Sequence, residues 1–570
     1  MTQEKVESDE AEHAAVFKEN GTGEFKASEK TDEKPATPSG GDIFQTLGKA
    51  GPLLLLALLA AHVWHGFVGT VLYCPPEADS ILLYKLTAQS GQWLVTAPGD
   101  MVQWPVFTWF LTLLAPLLTH LDLARNLLFP AAAALGALLA LFAVYGLSRA
   151  AGFGAQAALA TGLILLCSPV FALMPHFTGP ETLGAALLLL SLACICRGLQ
   201  KERDWLSLPA GFLLAALAGL CSGLFHALLP LLAGFLFLVW TGKMRRQRAP
   251  DAIAGFTLFL LCLTVWLGCL IYTNSTGYVR YLQQNLFLFP WPPQDSWWLP
   301  LAFAGAGLVP WIALVICVSW NRVLLSALSD LKTSRAERAG TAFVWISLLA
   351  GCVLSLVSPE TESVALCLLC LAAILLGKAL LRLSALGSRI FYGITALCLL
   401  FAGLALTASG FAFSLDALTH ALSFTLAPEQ RELLLSLKTA PIVGTICLVA
   451  ALVLARFVKR GMPGGALLAC ALISVALTQS VTLLLAPALE AVPQAQLRRA
   501  DDINPKQASP APMAKPAEPP DSARIPEQPP APEQDAGQGM QEAAPPEAVP
   551  KEDSPATSSP ENQRQEQPSP

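Results

Sequence analysis

The chain is 570 residues long, and 54% of it is hydrophobic against 14% charged, with a mean hydropathy of +0.54. Those values exclude a soluble domain and define a polytopic membrane protein. The formal net charge of −5 resides mostly in the two tails, so it points to no charged partner, and nucleic acid is not an expected ligand.

Residues 1–47 are rich in Glu, Lys, Thr and Ser, with few large apolar groups. They cannot bury enough surface to offset the entropy of ordering, and a disordered cytoplasmic tail is expected. The first apolar run starts near residue 51 and continues to spanning length, so no cleavable signal peptide is expected. Gly51 to Tyr73 carries no charge and is long enough to cross the roughly 30 Å hydrocarbon core as a helix. Twelve more spans follow, at about 126–147, 155–172, 182–198, 207–223, 226–241, 252–273, 299–320, 341–357, 364–381, 390–410, 441–458 and 464–487. The turn inside the 207–241 pair is expected at Leu224–Ala227.

Cations fix the orientation. Arg149, Arg197, Lys201, Arg203, Lys243, Arg245, Arg246, Arg248, Arg322, Lys332, Arg335, Arg338, Lys378, Arg382, Arg389, Arg456, Lys459 and Arg460 all fall at intervals on one side, which is therefore cytoplasmic. The opposite side holds 74–125, 173–181, 274–298, 358–363 and 411–440. Trp104–Thr119 is apolar but short and reads as a helix lying at the interface. Residues 488–570, dominated by Pro, Ala, Glu, Gln and Ser, are expected to be a disordered external tail. The expected architecture is all-α: a polytopic transmembrane helix bundle of about 13 spans over 48–487, between the tails 1–47 and 488–570.

The longest polar interval between residues 51 and 487 lies at 74–109, and it places two carboxylates, Glu77 and Asp79, at a membrane surface. Glu77-Ala78 followed by Ser90-Gly91-Gln92-Trp93-Leu94 resembles the first external loop of the C-type glycosyltransferases that include the aminoarabinose and protein mannosyl transferases. There, Asp-Glu-Ala opens the loop and Ser-Gly-x-Trp-Leu follows. Two departures stand out: Pro76 occupies the first acidic position, and Gln103-Trp104-Pro105 stands where the family has Lys-Pro-Pro.

Further segments resemble the family in the same order. Asp122-Leu123-Ala124-Arg125-Asn126-Leu127 is similar to its Ala-Ala-Arg-Leu segment, and Pro180-Glu181-Thr182-Leu183 stands where a second acidic residue begins the fourth span. Pro292 to Pro300 followed by Leu308-Val309-Pro310-Trp311 is similar to its aromatic-rich loop and Pro-Trp span, and Ser355 to Pro359 to a serine-containing segment before a later span. The resemblance implies a membrane enzyme that moves a sugar from a polyprenyl-phosphate donor to a lipid, glycan or protein acceptor on the external face. It implies catalytic roles for Glu77, Asp79 and Glu181, one carboxylate taking the acceptor proton or holding a divalent metal, the one candidate cofactor. Lys85, Arg125 and Arg280 would serve the phosphate. Tyr281, Trp291, Trp297 and Trp298 would stack on the sugar, and Gln103 and Trp104 would take the place of the family's lysine contact.

Each residue has a plainer reading beside this one. Glu77, Asp79 and Glu181 suit helix starts through the helix dipole, Arg125 an interfacial anchor, and the aromatics a membrane belt. The fourteen cysteines lie almost entirely inside spans, where cysteine packs as a small hydrophobe. His62 and His65, one turn apart in the first span, read as hydrogen-bonding groups between helices. Two other classes stand beside the enzyme: an inactive subunit of the same fold, and a transporter or flippase, which lacks the expected inverted repeats and charges buried mid-span.

Overall fold

The computed structural model describes residues 43–68, 75–91, 93, 105–120, 127–176, 179–200, 205–242, 249–273, 298–317, 336–358, 361–413 and 440–490. Contact clustering separates a unit over 1–510 from one over 511–570, and the latter lies wholly outside the described residues, as does almost all of both predicted tails.

The described residues form helices and no strand. In chain order they are α1 Ile43–Val68, α2 Pro75–Ser90, α3 Pro105–His120, α4 Leu128–Ala150, α5 Ala155–Leu166, α6 Pro169–Leu173 with a 3₁₀ turn Met174–His176, α7 Glu181–Gln200, α8 Ser207–Ser222 and α9 Leu224–Thr241. Then follow α10 Ala249–Thr273, α11 Leu299–Gly307, α12 Ile312–Cys317, α13 Ala336–Ser355, α14 Glu362–Leu380, α15 Ala385–Phe413, α16 Ala440–Arg460 and α17 Pro463–Glu490. Eight of these are long and apolar enough to cross a bilayer, and the α5–α6 pair makes a ninth. The expected thirteen also need α1, α8 and α13, whose apolar stretches are shorter, and the broken pair α11–α12.

Several boundaries differ from the sequence reading, each for a local reason. Residues 75–90, expected as loop, are helical, because Pro75 and Pro76 occupy a first turn that needs no N–H donors. The span expected at 155–172 is bent by 70° at Cys167–Ser168. Pro169 there lacks the N–H that would continue α5, and Ser168 donates instead to the Gly307 carbonyl at 2.6 Å. The span expected at 299–320 breaks after Gly307, since Pro310 has no N–H with which to continue the helix. The α8–α9 turn sits at Gly223 rather than at Leu224–Ala227, since φ of 91° there suits glycine. Helices also run past the predicted domain limits, from Ile43 and to Glu490.

The bundle is organised around α14, nearly all of which is buried against α5, α7, α11 and α13. Its one cation, Lys378, does not lie in a loop as the charge pattern suggested. It is 5% exposed, donates to the Thr341 hydroxyl and stands 4.9 Å from the Phe153 ring centroid. The long stem packs while the ammonium keeps a polar and an aromatic partner.

Candidate functional site

The Pro180–Glu181 corner sits at one end of α7. The Pro180 carbonyl accepts from Gly184 N–H at 2.7 Å, from the Ser222 hydroxyl at 3.1 Å and from the Cys221 thiol at 3.7 Å. One carbonyl thereby ties the start of α7 to the end of α8. A methyl on Gly184 would run into Ser222, so the contact requires glycine. Glu181 opens α7, where the positive end of the helix dipole favours a carboxylate. Its carboxylate lies over Gly179, in the space a Cβ there would need.

Two more helices reach this end. His226, fully buried near the start of α9, stands 3.4 Å from the Cys367 sulfur of α14, joining those helices through side chains. Glu362, the first residue of α14, lies within electrostatic reach of Glu181. Like charges so placed repel. Among the described residues no group of three or more His, Cys, Asp or Glu converges to hold a metal.

The helix carrying Glu77 and Asp79 is docked on the same end. Phe107, Leu111, Leu114 and Leu118 of α3 pack with Leu128, Ala131 and Ala132 of α4 and with Leu183 and Cys221, two neighbours of the Pro180 corner. Tyr84 of α2 joins this cluster edge-on to Phe129, with ring centroids 6.0 Å apart, and burial raises the affinity of its phenol for its proton. Ile81 and Leu83 are each 1% exposed. Gly91 ends α2 in the left-handed region, φ 69°, with its N–H on the Thr87 carbonyl, and the Trp109 indole donates to the Trp93 carbonyl at 2.6 Å. The Ser-Gly-x-Trp part of the motif is thus a cap and a strap.

That assignment is testable by stability. Gly91→Ala should cost about 1 kcal/mol through backbone strain alone, since a Cβ there meets nothing within 4 Å. Gly146→Ala, inside α4 near its C-terminal end and with equal space, should be neutral or stabilising. Melting of the detergent-purified protein reads both, and equal effects would remove the cap from α2.

Of the residues expected at the site, Glu77 and Asp79 fall in the first turn of α2, and Lys85 lies half-buried on the same helix. Trp298 is 51% exposed just before α11. Gln103, Trp104, Arg125, Arg280, Tyr281, Trp291 and Trp297 lie outside the described residues. Sequence reasoning missed Glu362, Ser222, His226 and Cys367, which carry no motif; for Glu362 the available signal was a carboxylate opening an apolar span just after Ser358-Pro359.

This bundle of long helices, with the shorter α2 and α3 docked at the Glu181 end, has the fold seen in solved structures of ArnT. The family model for dolichyl-phosphate-mannose-protein mannosyltransferases matches residues 100–269, a stretch that includes Glu181 but neither Glu77 nor Glu362. The crystal structure of ArnT from Cupriavidus metallidurans in the apo state superposes with a TM-score of 0.58 at 18% identity, over 76% of this chain and 77% of that one. The same protein bound to undecaprenyl phosphate gives a TM-score of 0.58 at 17% identity over the same shares. No curated protein sequence matches significantly.

Proposed function

We propose that this protein is a membrane glycosyltransferase that moves a sugar from a polyprenyl-phosphate donor to a lipid, glycan or protein acceptor on the external face of the membrane. The observation that carries the proposal is the docking of α2, with its two carboxylates, on the apolar cluster that ends at Pro180–Glu181. The ArnT crystal structure bound to undecaprenyl phosphate, which shares the fold, supports the donor class.

In the proposed reaction a carboxylate takes the proton of the acceptor hydroxyl or amine as it attacks the anomeric carbon. The bond from that carbon to the phosphate oxygen breaks, and its electron pair leaves with the polyprenyl phosphate. Lys85 is the cation on α2 suited to that developing charge. Glu77 is taken as the base because it holds the acidic place in the Glu77-Ala78 motif, and Asp79 lies in the same first turn of α2. Asp79, two residues on, is rotated about 200° around the helix. Glu181 and Glu362 would orient the acceptor or hold a divalent ion.

The test is transfer in membranes carrying the full chain, supplied with undecaprenyl phosphate bearing radiolabelled mannose or aminoarabinose. Label should move to an acceptor fraction. Pro76 and the Gln103-Trp104 pair favour a second reading, an inactive subunit that keeps the fold. Binding of tritiated undecaprenyl phosphate without transfer of either sugar would select it.

Orientation has its own test. Reporter fusions after residues 203, 248 and 338 should read as cytoplasmic, and those after 100, 290 and 430 as external. A cytoplasmic signal at residue 100 would place Glu77 on the wrong face for an external reaction.

A further inference from the structure

Two side-chain contacts leave one corner of the bundle toward different helices. α8 ends at Ser222, Gly223 turns the chain with φ 91° and ψ 178°, and α9 begins at Leu224. The turn is closed by its own backbone: Gly223 N–H donates to the Gly219 carbonyl at 2.9 Å, and His226 N–H to the Gly223 carbonyl at 3.1 Å. A methyl on Gly219 would overlap the Ala227 side chain, so the two helices touch directly after the turn. The corner is short and stiff.

From the last residue of α8, the Ser222 hydroxyl donates to the Pro180 carbonyl at 3.1 Å, and Pro180 immediately precedes Glu181. From the first turn of α9, the His226 imidazole forms a hydrogen-bonded pair with the Cys367 thiol, Nε2 to Sγ 3.4 Å. Cys367 lies five residues beyond Glu362 on α14, about 7.5 Å along the helix. Ser222, His226 and Cys367 are 2%, 0% and 0% exposed, so water does not compete for these contacts. Gly184 makes the room, since a Cβ there would overlap Ser222 and come within 3.7 Å of the His226 ring. α7 and α14 also pack on each other directly. Apolar packing is non-directional and sets how close two helix axes come. Directional hydrogen bonds near the helix ends set how far one slides along the other.

We infer that the corner from Ser222 to His226 is a brace that sets the spacing of the Glu181 and Glu362 carboxylates, with Ser222, His226 and Cys367 as positioning residues for sugar transfer. The catalytic consequence rests on the transferase reading; the spacing rests on the contacts alone. α7 is held through Pro180 and α14 through Cys367, and the two holding points on the brace are four positions apart. Losing either contact frees one carboxylate relative to the other without removing a charge.

The full chain in nanodiscs would be treated with a short dihydrazide and a triazine activator, which join two nearby carboxylates, and the products mapped by peptide mass spectrometry. Glu362 is exposed and Glu181 half-buried, so both can react. Cys367→Ala and Ser222→Ala should each lower the Glu181–Glu362 cross-link at least about twofold, and kcat for transfer about tenfold or more with KM for the donor unchanged. Cys367→Ser keeps a hydrogen-bonding group opposite His226 and should restore both. Phe237→Ala, which empties the edge-on contact with Phe343 further along α9, should lower melting and leave cross-link and kcat as in the unsubstituted chain. If Cys367→Ala does not fold, Ser222→Ala carries the test from the α7 side. An unchanged cross-link in the alanine variants would overturn the brace, whether or not the chain transfers sugar. A lowered cross-link with unchanged kcat would overturn the positioning role, and so would losses that Phe237→Ala reproduces. Absence of transfer in the unsubstituted chain would defeat the transferase reading and the positioning role with it, while the cross-link still decides the brace.

Discussion

Glu77→Gln is expected to lower sugar transfer by about a hundredfold or more at unchanged expression, because it keeps size and hydrogen bonding while removing the group that takes the acceptor proton. Asp79→Asn is the control. Residues two apart on a helix do not share a face. Glu77 holds the motif position, so its substitution should bring the larger loss. If Asp79→Asn brings the larger loss, Asp79 has taken the acidic role that Pro76 leaves open, and Glu77 is not the base. If neither variant changes transfer, both carboxylates are dipole partners at the start of α2 and the mechanism is lost. Membrane assays with either labelled donor decide this, with kcat separated from KM so that a binding defect is not read as lost catalysis.

The second large effect belongs to Glu181, where cap and site readings predict opposite patterns. Glu181→Gln should reduce transfer at least about tenfold and leave melting unchanged or slightly improved, since a charge held out of water, with Glu362 nearby, is removed. A carboxylate serving only the dipole of α7 would give the reverse, a stability loss of about 0.3–1 kcal/mol with transfer intact. Gly179→Ala offers a test that leaves all charges in place. The added methyl needs the space held by the end of a flexible side chain, so the Glu181 carboxylate must move while the backbone need not. Transfer should fall in Gly179→Ala with melting unchanged. Full activity there would mean that the position of this carboxylate does not matter to the reaction.

The sequence by itself determined the class of fold. Runs of Leu, Ala and Val without charge have no alternative to helices in a bilayer, because lipid offers backbone groups no hydrogen bonds. The same logic placed most helices to within a few residues, as at 128–150, 181–200 and 440–460. It also put Glu181 at the start of a span, since a carboxylate opening an apolar run is visible in one dimension. Hydropathy fails where a break depends on a distant partner. The bend between α5 and α6 is completed by Ser168 reaching Gly307, 139 residues away. Lys378 looked like a loop cation because it follows an apolar run, yet α14 passes through the middle of the bundle, and Thr341 and Phe153 receive the ammonium there. Helix α2 reads as loop because its apolar side is short, and only the cluster built by α3, α4, Leu183 and Cys221 makes a surface for Tyr84 to dock on. The Glu181–Glu362 pair was out of reach for the same reason. Those residues stand 181 positions apart, and their meeting is fixed by how α7, α8, α9 and α14 pack at one end of the bundle, which side-chain shape decides and periodicity does not record.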